Sequence, residues 1–222
     1  MATMPARATV VCVHGLWMTG VDMSLLRRRI RRCGFDVRQF TYPSIRADVK
    51  TNAERLQRFI STLEAGTIHL VGHSLGGLVI RQTVHELSQT ADERRIGRIV
   101  TLGTPHNGSR VAQVMAARPW MRWVLGRSFY HGLDGQLPPW PVNHEPGVIA
   151  GTLNIGIGRL ITSLPGVSDG TVLLEETRLE GGSDHITVPV THTALQFSRQ
   201  AAQQVCAFLR HGRFERQPVS AG

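Results

Sequence analysis

Lysine is almost missing from this chain. Lys50 is the single lysine among 25 basic residues, and these outnumber the 16 acidic residues in a sequence of 222. Clustered positive charge is typical of nucleic-acid binding, but here the arginines are spread along the chain, inside patterns of ordinary helices and strands. We therefore expect neither nucleic-acid nor anionic-membrane contact from this charge, because net charge informs about solubility and non-specific association.

Cysteine is also scarce. Cys12, Cys33 and Cys206 are odd in number, and their spacing matches no metal-binding motif. Two of them lie in apolar patterns that indicate helices or strands. We therefore expect buried free thiols, with neither a disulfide framework nor a metal site.

Long apolar runs are absent as well. No segment approaches the ~20 apolar residues that cross a bilayer, and residues 1–7 lack the apolar core of a secretion signal. These absences predict a cytoplasmic protein. With 41% hydrophobic and 18% charged residues, the composition predicts one globular domain over residues 1–222 and excludes disordered or collagen-like chains.

Short β-branched runs alternate with amphipathic stretches, which is typical of a parallel sheet covered by helices. Strands are predicted at residues 9–13, 35–42, 68–72, 96–102, 148–153 and 186–190, and helices at 24–33, 49–63, 75–87 and 192–209. The fold class is therefore α/β, with a mostly parallel sheet of about six strands flanked by helices. Residues 109–147, rich in tryptophan and proline, are predicted to form a short lid-like insertion.

The densest charge falls in the helix predicted at 24–33, which carries five arginines between residues 27 and 32. Leu25, Leu26 and Ile30 share its apolar face, so the arginines are interpreted as the solvated face of that helix. Their position near its C-terminus also suits the helix dipole.

The segment Gly72-His73-Ser74-Leu75-Gly76 stands directly after a predicted strand and directly before a predicted helix. A serine on so sharp a turn adopts a strained backbone, at about 1–3 kcal/mol, and glycines two residues to either side avoid clashes. The turn raises the hydroxyl above the sheet, at a helix N-terminus. We therefore predict Ser74 as a nucleophile, with the His73 side chain directed away from it.

Further segments carry a resemblance to the serine α/β-hydrolases. They are HGLW at residues 14–17, LGTPHNGS at 102–109, SDGTV at 168–172, and His192 ahead of the final helix. Over residues 9–214 the chain resembles the bacterial lipase-like branch, which includes small esterases related to triacylglycerol lipases and GPI inositol-deacylases. The resemblance implies a minimal α/β-hydrolase fold. Only about eight residues precede the first predicted strand, so we expect the two leading strands of larger members to be absent.

The resemblance also implies the order nucleophile, acid, histidine along the chain. It assigns Ser74 as the nucleophile and Asp169, from the SDGTV segment, as the acid. His192 follows the last predicted strand, at the carboxyl edge of the sheet, whereas His185 lies at the opposite edge. Asp184 is the rival acid, but it precedes that strand; for Asp169 the alternative is an unpaired surface carboxylate.

Two backbone donors for the oxyanion follow from the same resemblance. They are the N–H groups of Leu16, after His14-Gly15, and of Leu75, after the nucleophile. His106 is expected to stabilise a loop beside the site and to transfer no protons.

Substrate contacts are predicted at four side chains. Trp17 and Met18 are expected to flank an acyl pocket, with core packing as the alternative. Trp120 and Trp123 are expected to line an acyl channel, the alternative being that residues 109–147 pack permanently as a helix layer. These assignments predict a preference for medium-chain esters, from about four to ten acyl carbons, because each buried methylene adds about 0.8 kcal/mol.

The predicted function is hydrolysis of carboxylic esters through an acyl-enzyme on Ser74, with no metal and no cofactor. Two alternatives stay open. One is a thioesterase or acyltransferase with the same triad, and the other is a catalytically silent hydrolase fold that binds a ligand. The expected partner is a small-molecule or lipid ester. Peripheral contact with lipid is compatible with the sequence, and no obligate protein partner is expected.

Overall fold

The chain alternates strands and helices over the residues that the computed structural model describes, which are 8–88, 90–141, 143–179 and 184–216. The prediction made for residues 1–7 lies outside this part. The strands are β1 (Thr9–Val13), β2 (Asp36–Phe40), β3 (Ile68–His73), β4 (Ile96–Leu102), β5 (Gly147–Gly151) and β6 (Asp184–Val188). The helices are α1 (Ser24–Arg32), α2 (Val49–Ser61), α3 (Leu75–Leu87), α4 (Arg110–Ala116), α5 (Pro119–Leu125), α6 (Gly158–Ile161) and α7 (Arg199–His211).

The six strands form one sheet in the order β2-β1-β3-β4-β5-β6, and every pair is parallel. This confirms the predicted α/β fold with a parallel sheet. The register pairs Val13 with Gly72 and His73 with Leu102. The chain therefore leaves the central strands at one common edge, which is where open α/β sheets bind ligands.

Two apolar layers cover the sheet. On one face, α2 and α3 pack with α4 and α5, and on the other face α1 packs beside α7. Leu26 and Ile30 of α1 are fully buried and Leu25 is half-buried, while Arg28, Arg31 and Arg32 are exposed. The predicted solvated face therefore holds for these three arginines, whereas Arg27 and Arg29 are half-buried.

The insertion begins with Ser109, whose hydroxyl accepts a hydrogen bond from the Ala112 N–H at 3.2 Å and caps α4. Pro119 then starts α5 at its first position, which explains the separation into two short helices. The segment is tied to the body, since the Arg127 N–H donates to the Ile45 carbonyl at 2.8 Å.

Several predicted element boundaries differ from the structure. β2 and α2 are shorter than the predicted 35–42 and 49–63, and β6 begins two residues before the predicted 186–190, so Asp184 and His185 lie within it. The predicted helix 192–209 is divided into a 3-10 turn at Thr193–Gln196 and α7, because the Ser198 hydroxyl caps a new helix by accepting from the Ala201 N–H at 3.1 Å. The predicted strand 148–153 ends at Gly151, beyond which the Leu153 N–H donates to the Val190 carbonyl.

The expectation of free thiols is wrong for two of the three cysteines. Cys33, at the end of α1, forms a disulfide with Cys206 of α7, with their Cα atoms 6.3 Å apart. The pairing follows from the packing of α1 against α7, which brings together residues separated by 173 positions. Cys12 is the buried free thiol that we expected, and burial raises its pKa to about 12.

None of the helices in the described part of the chain has the length and apolar character needed to cross a membrane.

Candidate active site

Ser74 joins β3 to α3 in a strained conformation, with φ 53° and ψ −123°. Glycine at the flanking positions permits this turn. A Cβ atom on Gly72 would lie 2.7 Å from the Gly77 nitrogen, and one on Gly76 would lie 2.6 Å from the His14 carbonyl oxygen. The strained serine that the pentapeptide predicts is therefore present, and its N–H donates to the Leu102 carbonyl at 2.8 Å.

Three side chains form a continuous hydrogen-bond chain at the carboxyl edge of the sheet. His192 Nε2 lies 2.9 Å from Ser74 Oγ, and His192 Nδ1 lies 2.7 Å from Asp169 Oδ2. An ionised carboxylate only accepts hydrogen bonds, so Nδ1 carries the proton and the lone pair of Nε2 faces the serine hydroxyl. This is the arrangement of a base poised to take the serine proton.

Asp169 is held by its own loop. Its second carboxylate oxygen, Oδ1, accepts hydrogen bonds from the N–H groups of Thr171 at 3.0 Å and Val172 at 2.8 Å. The residue is 1% exposed, and its backbone carbonyl accepts from the His192 N–H at 2.9 Å. The loop therefore orients both the carboxylate and the start of the histidine segment.

The rival residues lie elsewhere. Asp184 is the first residue of β6 and accepts from the Phe214 N–H at 2.7 Å, with an ion pair to Arg216. His185 Nε2 lies 3.0 Å from the Thr177 hydroxyl. The structure does not bring either of them to Ser74.

His73 contacts the site through an interaction that the sequence did not reveal. Its Nε2 lies 3.1 Å from the His192 backbone carbonyl, and the two rings are 5.0 Å apart. Because the side chain is buried, desolvation lowers the pKa of His73 to about 4. A neutral His73 therefore donates to that carbonyl and supports the segment that carries His192.

His14 holds the loop after β1. Its Nδ1 donates to the Gly15 carbonyl at 2.9 Å, its Nε2 accepts from the Tyr42 N–H at 3.3 Å, and the rings of His14 and Tyr42 stack 4.3 Å apart. Burial lowers the pKa of His14, which keeps the ring neutral. A Cβ atom on Gly15 would lie 3.2 Å from the Ser74 Cβ, so this loop lies directly against the serine.

Two backbone amides beside Ser74 have no partner. Neither the Leu16 N–H nor the Leu75 N–H donates a hydrogen bond to any described residue. Leu75 is the first residue of α3, where an unpaired N–H and the helix dipole favour negative charge. Leu75 directly follows Ser74, and Leu16 lines the same cavity as Ser74.

His106 lies behind the site, with Nε2 3.1 Å from the Thr101 hydroxyl and its ring at the edge of Trp140. Burial lowers the pKa of His106 to about 3. Its carbonyl accepts from the Arg81 guanidinium at 2.8 Å. These contacts stabilise the loop after β4.

An apolar cavity of about 220 Å³ opens beside the serine hydroxyl. It is lined by Leu16, Trp17, Met18, His73, Ser74, Pro105, Ser109, Val111, Ala112, Met115, Leu125, Leu133, Ile157, Ile161, Thr171, Val172, His192 and Thr193. The structure thus places Trp17 and Met18 at the same cavity as Ser74 and His192.

The prediction that Trp120 and Trp123 line an acyl channel is corrected. They lie outside the cavity on the outer side of α5, where they are 71% and 83% exposed. The reason is the orientation of α5, since Met121 and Leu125, four residues apart, pack into the core.

The cavity wall comes mainly from residues other than the four side chains predicted as substrate contacts. From the insertion, Val111, Ala112 and Met115 of α4 contribute, and Ile157 and Ile161 contribute from the segment around α6. The sequence feature that indicates these α4 residues is their apolar spacing directly after the helix cap Ser109.

No group of three or more His, Cys, Asp or Glu side chains suited to a metal ion occurs in the described ranges. The chemistry that the arrangement supports is nucleophilic attack by a serine on a carbonyl carbon.

Solved structures with the same fold include three hydrolases. A lipase from Bacillus licheniformis, BlEst2 in its mature form, superposes with a TM-score of 0.72 at 20% identity, covering 93% of this chain and 92% of that one. The metagenomic carboxyl esterase MGS0156 superposes with a TM-score of 0.64 at 17% identity, covering 87% of this chain and 67% of that one. The RedJ thioesterase from the prodiginine biosynthetic pathway of Streptomyces coelicolor superposes with a TM-score of 0.64 at 14% identity. The superposition covers 94% of this chain and 88% of that one.

These similarities show an α/β-hydrolase fold. Among curated protein sequences, none matches the chain. A family model described as "Domain of unknown function (DUF7379)" matches residues 8–133, and the chain belongs to that family.

Proposed function

We propose that the protein is a serine hydrolase that cleaves carboxylic esters through an acyl-enzyme on Ser74. The observation that carries this proposal is the hydrogen-bond chain from Ser74 Oγ through His192 to Asp169, with distances of 2.9 Å and 2.7 Å. Lipases, esterases and a thioesterase share this fold, which supports a hydrolase.

In the first half-reaction, Ser74 Oγ attacks the ester carbonyl carbon while His192 Nε2 takes the hydroxyl proton. Asp169 keeps Nδ1 protonated and stabilises the imidazolium that forms. The Leu16 and Leu75 N–H groups then donate to the oxyanion, where negative charge develops.

In the second half-reaction, His192 has passed its proton to the leaving alcohol, and it accepts a proton from water as this attacks the acyl-enzyme. The carboxylic acid departs, and Ser74 recovers its proton from His192. The cycle uses only these side chains and amides, and it draws on no metal or cofactor.

The cavity indicates the class of substrate. Its wall is mostly aliphatic, and His192 and Ser74 stand at one side of it. Ligand sites usually measure about 300–1,000 Å³, so a cavity of about 220 Å³ suits one acyl chain of a small-molecule or lipid ester.

Hydrolysis of p-nitrophenyl butyrate by wild type and by Ser74→Ala tests the proposal. We expect the alanine variant to lose turnover by on the order of a millionfold and to keep its circular dichroism spectrum. Ser61→Ala, a surface serine whose hydroxyl bonds only its own helix, is the matched control. A folded Ser74→Ala variant with near wild-type turnover would refute the proposal.

The two alternatives are separated by the same preparation. Faster cleavage of butyryl-coenzyme A than of butyrate esters would make the protein a thioesterase, and accumulation of a new ester from an added alcohol would make it an acyltransferase. A folded wild type that cleaves none of these substrates would indicate a silent, ligand-binding hydrolase fold.

A further inference from the structure

The outer side of α5 is an apolar surface without a partner among the described residues. Trp120 and Trp123 are 71% and 83% exposed there, and Val124 is exposed next to them. The opposite side of the same helix, Met121 and Leu125, is buried. Only one of these two apolar sides packs in the core. An exposed apolar side of this kind is typical of an interaction surface.

This surface continues around the opening of the cavity. The Trp17 indole N–H donates to the Val124 carbonyl at 3.0 Å, and Trp17 also lines the cavity. Beyond the opening, Ile157 lines the cavity while 56% exposed, and Leu160 is 87% exposed. We name as the mouth patch the side chains of Trp17, Trp120, Trp123, Val124, Ile157 and Leu160.

Arginines dominate the charge around the mouth patch, with Asp48 near Arg127 and Glu176 near Arg110 as acidic neighbours. Residues 109–133 contain four arginines, residues 153–167 contain one, and neither segment contains an acidic residue. All five, Arg110, Arg118, Arg122, Arg127 and Arg159, are exposed. The Arg118 guanidinium lies 3.5 Å from the Ile161 carbonyl, so this arginine joins α5 to α6 across the patch.

We propose that the mouth patch docks the protein on an anionic lipid surface. Tryptophan favours the boundary between water and acyl chains, and arginine is attracted to anionic headgroups. The patch combines both kinds of side chain around one opening. The inference rests on the proposed function, because docking would serve ester hydrolysis: an ester held in the lipid surface would face the cavity directly.

A second copy of the chain fits the patch less well. A two-fold symmetric contact sets each surface against itself, and the five arginines of one copy would then face the same five on the other. An anionic lipid surface supplies the complementary charge, so it is the occupant that we infer.

Co-sedimentation with vesicles tests the proposal. We expect wild type to bind vesicles of phosphatidylcholine with phosphatidylglycerol, and to bind pure phosphatidylcholine at least tenfold more weakly. Trp120→Ala/Trp123→Ala is expected to lose binding at least tenfold while hydrolysing dissolved p-nitrophenyl butyrate at the wild-type rate, because neither tryptophan lines the cavity.

A charge-matched pair of variants separates the patch from the net charge of +9. Arg122→Gln/Arg127→Gln and Arg28→Gln/Arg32→Gln each remove two exposed arginines, but α1 covers the opposite face of the sheet from α5. At about 1 kcal/mol per arginine near an anionic surface, the first pair should weaken binding tenfold or more and the second should leave it unchanged. Equal losses in the two pairs would overturn the proposal.

Ser74→Ala separates this proposal from the proposed function. It should bind vesicles as wild type does, whether or not wild type hydrolyses esters. Binding of neutral and anionic vesicles with equal affinity would contradict the proposal. So would a dimer in solution that Trp120→Ala/Trp123→Ala abolishes, if the wild type binds no vesicles.

Discussion

The two candidate carboxylates differ in what else they bind. Asp169 uses Oδ1 for the N–H groups of its own loop, which leaves Oδ2 for His192 Nδ1. Asp184 is engaged by the Phe214 N–H and by Arg216, at the amino end of β6. The carboxylates of both aspartates therefore have hydrogen-bond partners where they lie, and only Asp169 can control the tautomer of His192.

Replacing each carboxylate by its amide tests this difference. Asp169→Asn should lower kcat for p-nitrophenyl butyrate about 10⁴-fold, because the histidine loses the acceptor that fixes its tautomer. Asp184→Asn, the matched control, should stay near wild type. The reverse ranking in two folded variants would move the acid to Asp184.

Part of the site could be predicted from individual residues of the sequence. Ser74 follows from glycine spacing, since Gly72 and Gly76 have no room for a Cβ atom, and His192 follows from its place after a strand. Asp169 was inferred only from family resemblance, because its partners Thr171 and Val172 offer backbone N–H groups that no side-chain pattern encodes.

Among the secondary-structure elements, the strands were predicted more reliably than the insertion. A β-branched run buried on both faces indicates a parallel strand whatever its neighbours, as in β1. Helix α5 has five apolar side chains among seven residues, so periodicity does not tell which side faces the core. Packing of Met121 and Leu125 decides it, and that contact depends on the rest of the fold.

The walls of the cavity should set the preferred acyl length. Ala112 of α4 is 3% exposed and lines the cavity, so Ala112→Leu fills part of it. Excluding two methylenes is worth about 1.6 kcal/mol, so kcat/KM for the octanoate ester should fall about tenfold against that for acetate. Kinetics across p-nitrophenyl esters from C2 to C16 measure this.

Trp123→Ala is the control for that series. The exposed tryptophan should leave the chain-length profile of dissolved esters unchanged, in contrast to the channel lining that its sequence suggested. A flattened profile in Trp123→Ala, or an unchanged one in Ala112→Leu, would mean that the acyl chain binds outside this cavity.

On the scale of the whole molecule, the Cys33–Cys206 disulfide joins helices that are distant in sequence but adjacent on one face of the sheet. Closing a loop of 173 residues restricts the unfolded chain by about 5 kcal/mol in the chain-entropy model. Reduction should therefore lower Tm by on the order of 10 °C. Thermal melts with and without a phosphine reductant measure it.

The variant Cys33→Ser/Cys206→Ser controls for the reductant, since its Tm should not respond to it. Alkylation of the unfolded, unreduced protein should modify Cys12 alone. Three alkylated cysteines would show that the bond is absent. Because disulfides are rare in the cytosol, an intact bond in protein from its native cells would argue against the cytoplasmic location expected from the sequence.

Buried histidines should make the fold sensitive to acid. Burial lowers the pKa of His73 from 6.5 to about 4 and that of His106 to about 3. Below about pH 6.5 the unfolded chain takes up protons at these positions while the folded state does not, so the free energy of unfolding falls. Urea unfolding should give a value lower by on the order of 3 kcal/mol at pH 5.0 than at pH 7.5.

One acidic group acts in the opposite direction. Burial raises the pKa of Glu176, so protonation at low pH favours the folded state there, but the histidines outnumber it. His106→Gln should reduce the loss of stability between pH 7.5 and 5.0. A free energy of unfolding that is constant or rises toward pH 5.0 would contradict neutral burial of these rings.

Labelling with a fluorophosphonate tests whether Ser74, activated by His192, is a nucleophile. The probe reacts only with an activated serine, and mass spectrometry of the intact protein and of its peptides locates the adduct. We predict one adduct per molecule, on Ser74, with none in Ser74→Ala and strongly slowed labelling in His192→Ala. A folded wild type that stays unlabelled, or an adduct on any other residue, would show that Ser74 is not the activated nucleophile.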